Sequence, residues 1–588
     1  QQHDRSTVNV GTALRSGVRV LLDRPASVLP VYLLVAGITA TTRVPVLIGL
    51  AAVVGLLAAD GRLDTLLTEL QNVDTNALDE SSPETAAESL PPGLEEAVFD
   101  VFSPEILLLG VGAVLASVVV SVLANGIGNA AAINGVYGCL YGGDGVEDAV
   151  VGVGRDWKAF VGITLAQLGV LVVGSVPVVL GAGLFAISPV AGTAATLVGL
   201  LLSTGVVLVG LVLLAFAGQS VVVDGTSLGG AIRRSVGFPF RQPIAFLAYI
   251  LVALAVFGGL GILGGIFGAL GISQLSGIIG PLFMLPFLDA FKTALYADRP
   301  LSASIGDSPT LPSTETVATD GGDRSPSDEQ RRDMTPSADD EQATVDTEQS
   351  MDNEQSVDDK RSTDSDERTM HTDPAVGEVD HSAEGDDQAA YRHRFVGAFR
   401  DGLVALGGFI RHYPVPILAA AALFVAAAVG GWQLTAEFAV DLPAGTEPGA
   451  VFGRFPVAVF VMIAANNWLV SATAIFGGVA LGVPTALDML LNGVIVGAVA
   501  GIADPLVVAA LVAPHGVIEL PAIVIAGGLG FHLAATVAGV FRGNRTSTDL
   551  ADALRLGYRV LLGLAVVLVV ASFVEAFLTP TIAEVVLA

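Results

Sequence analysis

Residues 505–541 read PLVVAALVAPHGVIELPAIVIAGGLGFHLAATVAGVF. The ionisable side chains in this run are His515, Glu519 and His532, and everything else is apolar, small or weakly polar. From Pro514 onward the run exceeds the ~20 residues that a helix needs to cross a bilayer. A chain that embeds such a run in lipid must pair its own backbone groups, so a helix is the expected element. Within it, PHGVIELPA (Pro514–Ala522) sets His515 and Glu519 four residues apart, on one face of a helix. An ionisable pair inside a membrane span is costly and by default marks function. Pro505–Ala513 is too short to cross alone. It is expected to be a re-entrant or half-helix leading into the His–Glu pair.

The rest of the chain repeats the apolar theme. Mean hydropathy is +0.69 and charged residues are 14%, against about 25% in soluble domains. The fold class expected is therefore all-α: a polytopic integral membrane protein with two helical bundles joined by a disordered acidic linker. In the first bundle (1–297) spans are expected at Ile106–Ala124, Val161–Ile187, Val190–Gln219, Pro243–Leu270 and Ile272–Leu295. Ala26–Ala59, broken by Pro30, Arg43 and Pro45, reads equally as one long kinked span or two short ones. Residues 298–390 are rich in Asp, Glu, Ser, Thr and Gln, a composition that cannot bury enough apolar surface to order itself. The second bundle (391–588) has spans at Val415–Leu434, Phe455–Ala480, Ala486–Ala503, Pro514–Phe541 and Leu556–Phe577.

Formal net charge is −29, with roughly half of all carboxylates between Asp298 and Asp387 and almost no lysine. Such a balance fits a salt-loving host and opposes nucleic-acid binding. Cys139 is the only cysteine, which excludes a disulfide framework and a thiolate metal site. The opening QQHDRSTVNVG is polar and Arg-bearing, unlike a secretory signal. Arg15, Arg19 and Arg24 precede the first span, Arg155, Arg233, Arg234 and Arg241 mark later loops, and Arg400, Arg411, Arg542, Arg545, Arg555 and Arg559 do so in the second bundle. By the positive-inside rule the N-terminus and the linker face the cytoplasm, and the acid-only stretches 60–105 and 433–450 face out. An amphipathic, Arg-bearing helix ahead of a span recurs, in ALRSGVRVLL at Ala13, AFRDGLVAL at Ala398, ALRLGYRVLL at Ala553, and the Asp-Gly segments at 144 and 224.

The His–Glu pair has three readings. A metal site requires a third ligand, for which His532, Asp488 and Glu575 are the candidates; the HExxH pattern is absent. A proton or ion path would use Glu519 beside His515. A buried hydrogen-bonded pair would merely lock helix packing. Asn466, Asn467 and Asn492 lie in neighbouring spans and either join one polar cluster with the pair or make separate interhelical bonds. Glu575, near the end of the last span, is expected at the interface more than in the bundle. Gly477, Gly478, Gly482, Gly493, Gly497 and Gly501 have the small-xxx-small spacing of helix packing, not of a phosphate loop. No nucleophile–base constellation is present, so no catalytic residue, cofactor or metal ligand is assigned.

Asn466-Asn467 in FVMIAANNWLVS, Asn492-Gly493 in MLLNGVIVG, the PHGVIELPA block and the closing ASFVEAFLTP occur in this order over about 395–579. That series resembles the stage II sporulation protein M family. The resemblance implies an α-helical membrane protein whose family-defining positions here are Asn466, Asn467, Asn492, His515, Gly516, Glu519 and Glu575. In sporulating bacteria the family member works in a membrane complex with cell-wall-degrading partners. The first bundle resembles multi-span domains of archaeal membrane proteins. Together these lead to the expectation of a non-enzymatic, multi-pass cell-membrane component of an envelope complex. Its partners would be the lipid bilayer and other proteins. A transporter or channel with a midplane Asn/His/Glu site is the alternative, and a metal-dependent intramembrane hydrolase a third reading.

Overall fold

A computed structural model describes residues 9–71, 91–297, 381–436 and 456–587. Every regular element among the described residues is helical. The first segment runs α1 (Val10–Asp23), α2 (Pro25–Ala40), α3 (Val44–Ala59), α4 (Arg62–Gln71), α5 (Pro92–Val101), α6 (Pro104–Leu140), α7 (Gly145–Gly183), α8 (Pro189–Leu213), α9 (Ala217–Asp224), α10 (Leu228–Arg241), α11 (Pro243–Ala269), α12 (Gln274–Ile279) and α13 (Leu285–Ala297). The second runs α14 (His381–His412), α15 (Pro414–Thr435), α16 (Val457–Phe476), α17 (Val483–Ile502), α18 (Pro505–Phe541), α19 (Ser547–Phe573) and α20 (Thr579–Leu587). Eleven helical stretches among the described residues are long and apolar enough to cross a membrane. Large apolar side chains such as Leu201, Val190 and Phe240 stand open on the outer faces, where lipid rather than water would meet them. The chain is a multi-pass membrane protein.

The acidic linker expected at 298–390 lies outside the described residues up to 380. From 381 the chain is helical, and by contacts residues 301–388 form a unit of their own. α14 extends toward its N-terminus because each added residue gains one backbone hydrogen bond once the helix is nucleated.

The open question at 25–59 is settled by its register on α6. Val31 packs on Gly135 and Val35 on Gly128. Ser117 Oγ donates to the Thr42 carbonyl at 2.7 Å, and Ala113 packs on Gly49. The pairing advances steadily and antiparallel. Residues 25–59 therefore form one bent path beside one helix, not a hairpin. The bend is the 3₁₀ turn Thr41–Arg43, reached through Thr39 and Thr41, whose hydroxyls bond back to Val35 and Ile38 carbonyls and loosen the ladder.

Pro505–Ala513 is not a separate half-helix. α18 is continuous over 37 residues, with Pro514 and Pro521 inside it. Its start carries two local signals: Asp504 caps the Leu506 and Val507 N–H groups, and Pro505 occupies the first helical position. The internal prolines forfeit two ladder bonds, which packed membrane helices tolerate.

Amphipathic lead-ins precede three spans across breaks of matching geometry. Arg24 (φ −131°, ψ 44°), Gln242 (φ −133°, ψ 62°) and Tyr413 (φ −127°, ψ 55°) each stand before a proline that opens the span. A residue before proline is driven from helical geometry, so the same local chemistry makes the same elbow three times. At α7 and α19 no proline intervenes, and lead-in and span are one helix.

The glycine spacing is packing, as expected. Gly493, Gly497 and Gly501 of α17 abut the Phe424, Ala428 and Trp432 carbonyls of α15. Gly530 of α18 lies against the Ala474 carbonyl of α16, and Gly478, in the turn after α16, lies against the Gly530 backbone.

The segments either side of the linker pack as one compact unit rather than as two bundles with separate cores. Val31, Tyr32 and Ala132 of the first share a buried cluster with Phe409, Phe476, Leu529 and Leu554 of the second. Gly37 of α2 lies against the Phe476 backbone. Asp144, which caps α7, is ion-paired with Arg555 of α19, and Thr548 donates to Glu147 at 3.1 Å. α2 has apolar residues all round and gains by burial on every side.

Candidate functional site

α18 projects His515 and Glu519 toward the end of α19, where Glu575 meets them. One donor atom from each of the three lies within 4.8 Å of the others. All three side chains are half-buried. On α16, Asn467 is 7% exposed and faces Glu519. Ser471, one turn further along α16, is fully buried. His515 Nδ1 and Ser471 Oγ are buried without a hydrogen-bond partner among the described residues. Native interiors rarely leave such atoms orphaned, and here one occurs on each of two facing helices.

Glu575 reaches the pair because α19 does not end as a regular helix. Val574–Leu578 is a π-turn, held where Thr579 Oγ1 donates to the Val574 carbonyl at 3.1 Å. Such a turn inserts an extra residue and rotates the helix beyond it, and π-turns concentrate at functional sites. The expectation of Glu575 at the interface is thus corrected: it points inward.

The other expected members divide. Asn466 is exposed, its Nδ2 bonded to Asn467 Oδ1 at 3.3 Å. Asn492 is spent on its own helix, donating to the Asp488 carbonyl at 2.8 Å. Gly516 is buried, and a side chain there would crowd Val512. Of the three candidate third ligands, only Glu575 joins the pair. His532 packs its ring on Tyr413 (4.3 Å between centroids) and Phe409, about 20 Å further along α18. Asp488 lies beside Thr473, within electrostatic reach of Arg43.

The site's depth comes from helix rise. Glu575 lies 16 residues beyond Arg559, about 24 Å along the axis. That distance is most of the ~30 Å thickness of a hydrocarbon core. Among the described residues no Lys or Arg acts on His515, Glu519 or Glu575. Two carboxylates and one imidazole thus share a low-dielectric space with no cationic partner from these residues, an arrangement that favours taking up a cation or protons.

A second polar feature escaped the sequence reading. Ser117, Ser121, Asn125 and Asn129 of α6, with Thr164 and Gln167 of α7, line a cleft of about 710 Å³. The four α6 residues recur every fourth position, so the signal was present as a polar stripe in an otherwise apolar span.

Residues 419–580 match the model of the family described as stage II sporulation protein M. The matched stretch contains His515, Glu519, Glu575 and all three asparagines. An uncharacterized protein of Methanocaldococcus jannaschii is 29% identical over 133 residues, which cover 21% of this chain and 72% of that protein. No solved structure matches.

Proposed function

We propose that this chain is a non-enzymatic membrane transport protein whose ion site is formed by His515, Glu519 and Glu575. One observation carries the reading: three ionisable side chains from two helices converge inside a lipid-embedded core, with no cation among the described residues to neutralise them. Intramembrane carboxylates and imidazoles are expensive, and relays and cation paths are where that cost is offset by function. With the basic loops inside, the N-terminus and the 298–390 segment are cytoplasmic. Full-length protein in proteoliposomes should move charge after a pH or cation jump, read on a supported membrane. Glu519→Gln should abolish that current. Equal currents from both proteins, or none from the wild type, would sink the proposal.

The family match over 419–580 favours a second reading, a component of a cell-envelope complex. That reading expects specific proteins to co-purify from native membranes and to be lost when residues 433–450 are deleted, with Glu519→Gln leaving them bound.

A further inference from the structure

We infer that the His515–Glu519–Glu575 cluster is a binding site for a divalent transition-metal ion of the zinc class. The inference deepens the ion-site reading above and uses the same residues. It rests on the donor set, the charge balance and the orphaned atoms around it.

The donors are one imidazole nitrogen and two carboxylate oxygens, mutually within 4.8 Å. Around a tetrahedral zinc, ligands bonded at ~2.0–2.2 Å stand about 3.4 Å apart, so closure requires side-chain rotation but no movement of a helix. A mixed nitrogen–oxygen set suits zinc and its neighbours, whereas magnesium and calcium prefer oxygen alone. Charge gives the same answer. Two carboxylates carry two negative charges, and no Lys or Arg among the described residues acts on them. A single proton or monovalent cation leaves one charge uncompensated in a low dielectric; a divalent ion leaves none.

The independent observation lies on the facing helix. Asn467 is nine-tenths buried and directs its amide at the Glu519 carboxylate. It is placed to hold the carboxylate oxygen that does not bind the metal, as supporting residues do around metal ligands. His515 Nδ1 is buried without a partner among these residues, as an atom awaiting a ligand would be. Three protein ligands leave at least one position open, which suits an ion that must enter and leave.

The test uses the full chain, purified in detergent and stripped with a chelator. Titration calorimetry with zinc should give one saturable site per chain. Glu519→Gln and Glu575→Gln should each weaken binding at least ~10-fold, by the usual sensitivity of metal sites, and a thousandfold excess of calcium or magnesium should not displace the ion. Zinc-edge X-ray absorption on the wild type, which needs no variant to fold, should show one imidazole among oxygen ligands. No saturable binding, equal binding by wild type and Glu519→Gln, or a ligand shell without imidazole would each overturn the inference. Charge movement without zinc binding keeps the transport reading and ends this one; zinc binding without charge movement does the reverse.

Discussion

Glu575 is the residue on which the site turns, because it converts a pair into a triad. In the metal-free protein it sets a second carboxylate beside Glu519, with no cation among the described residues opposite. Removing one charge from such a pair should relieve repulsion and desolvation. Glu575→Gln in chelator-stripped protein is therefore expected to raise thermal stability by about 1–2 kcal/mol, measured by tryptophan-fluorescence melting, and to lose the further gain that added zinc gives the wild type. A stripped variant less stable than wild type would mean that Glu575 is already satisfied by its surroundings. Asn467 was legible as a polar residue in a span. That its amide faces Glu519 was not, because side-chain facing depends on how α16 is rotated in the bundle.

Local chemistry explains much at the level of elements. The elbows at Arg24, Gln242 and Tyr413 arise from the proline after each, and α18 begins where Asp504 and Pro505 mark a helix start. The half-helix expected at Pro505–Ala513 would share that start; it is overturned because Pro514 does not end the helix, which runs on to Phe541. The α15–α17 contact depends on glycine: a side chain at Gly497 would overlap the Ala428 carbonyl. Gly497→Leu should cost about 1–3 kcal/mol, the usual range for overpacking, and separate the two helices. Disulfide trapping between cysteines at Ala428 and Ala498 should then fall sharply. Unchanged trapping would show that the helices yield without parting.

For the whole molecule, the shared core is the property composition concealed. The acidic segment divides the sequence, yet α2 lies in the same buried cluster as Phe476 and Leu554. The two segments should therefore assemble without a covalent link. Residues 1–330 and 331–588, co-expressed as separate chains, are expected to co-purify, and Gly37→Leu, which drives a side chain into the Phe476 backbone, should separate them. Independent elution of the unsubstituted halves would refute a common core.

Sequence alone determined that the chain is all-α and membrane-embedded, because long apolar runs can satisfy their backbone in lipid only as helices. It also determined that His515 and Glu519 share a face, because a four-residue spacing is a property of one helix. The tertiary structure alone decided that Glu575 completes the cluster, that residues 25–59 make one path, and that both segments share a core. Each of these depends on helix rotation and register across tens to hundreds of residues. Those are set by which faces of distant helices meet and by a π-turn; the spacing within one helix can mark a packing face, as at Gly493, Gly497 and Gly501, but does not name its partner.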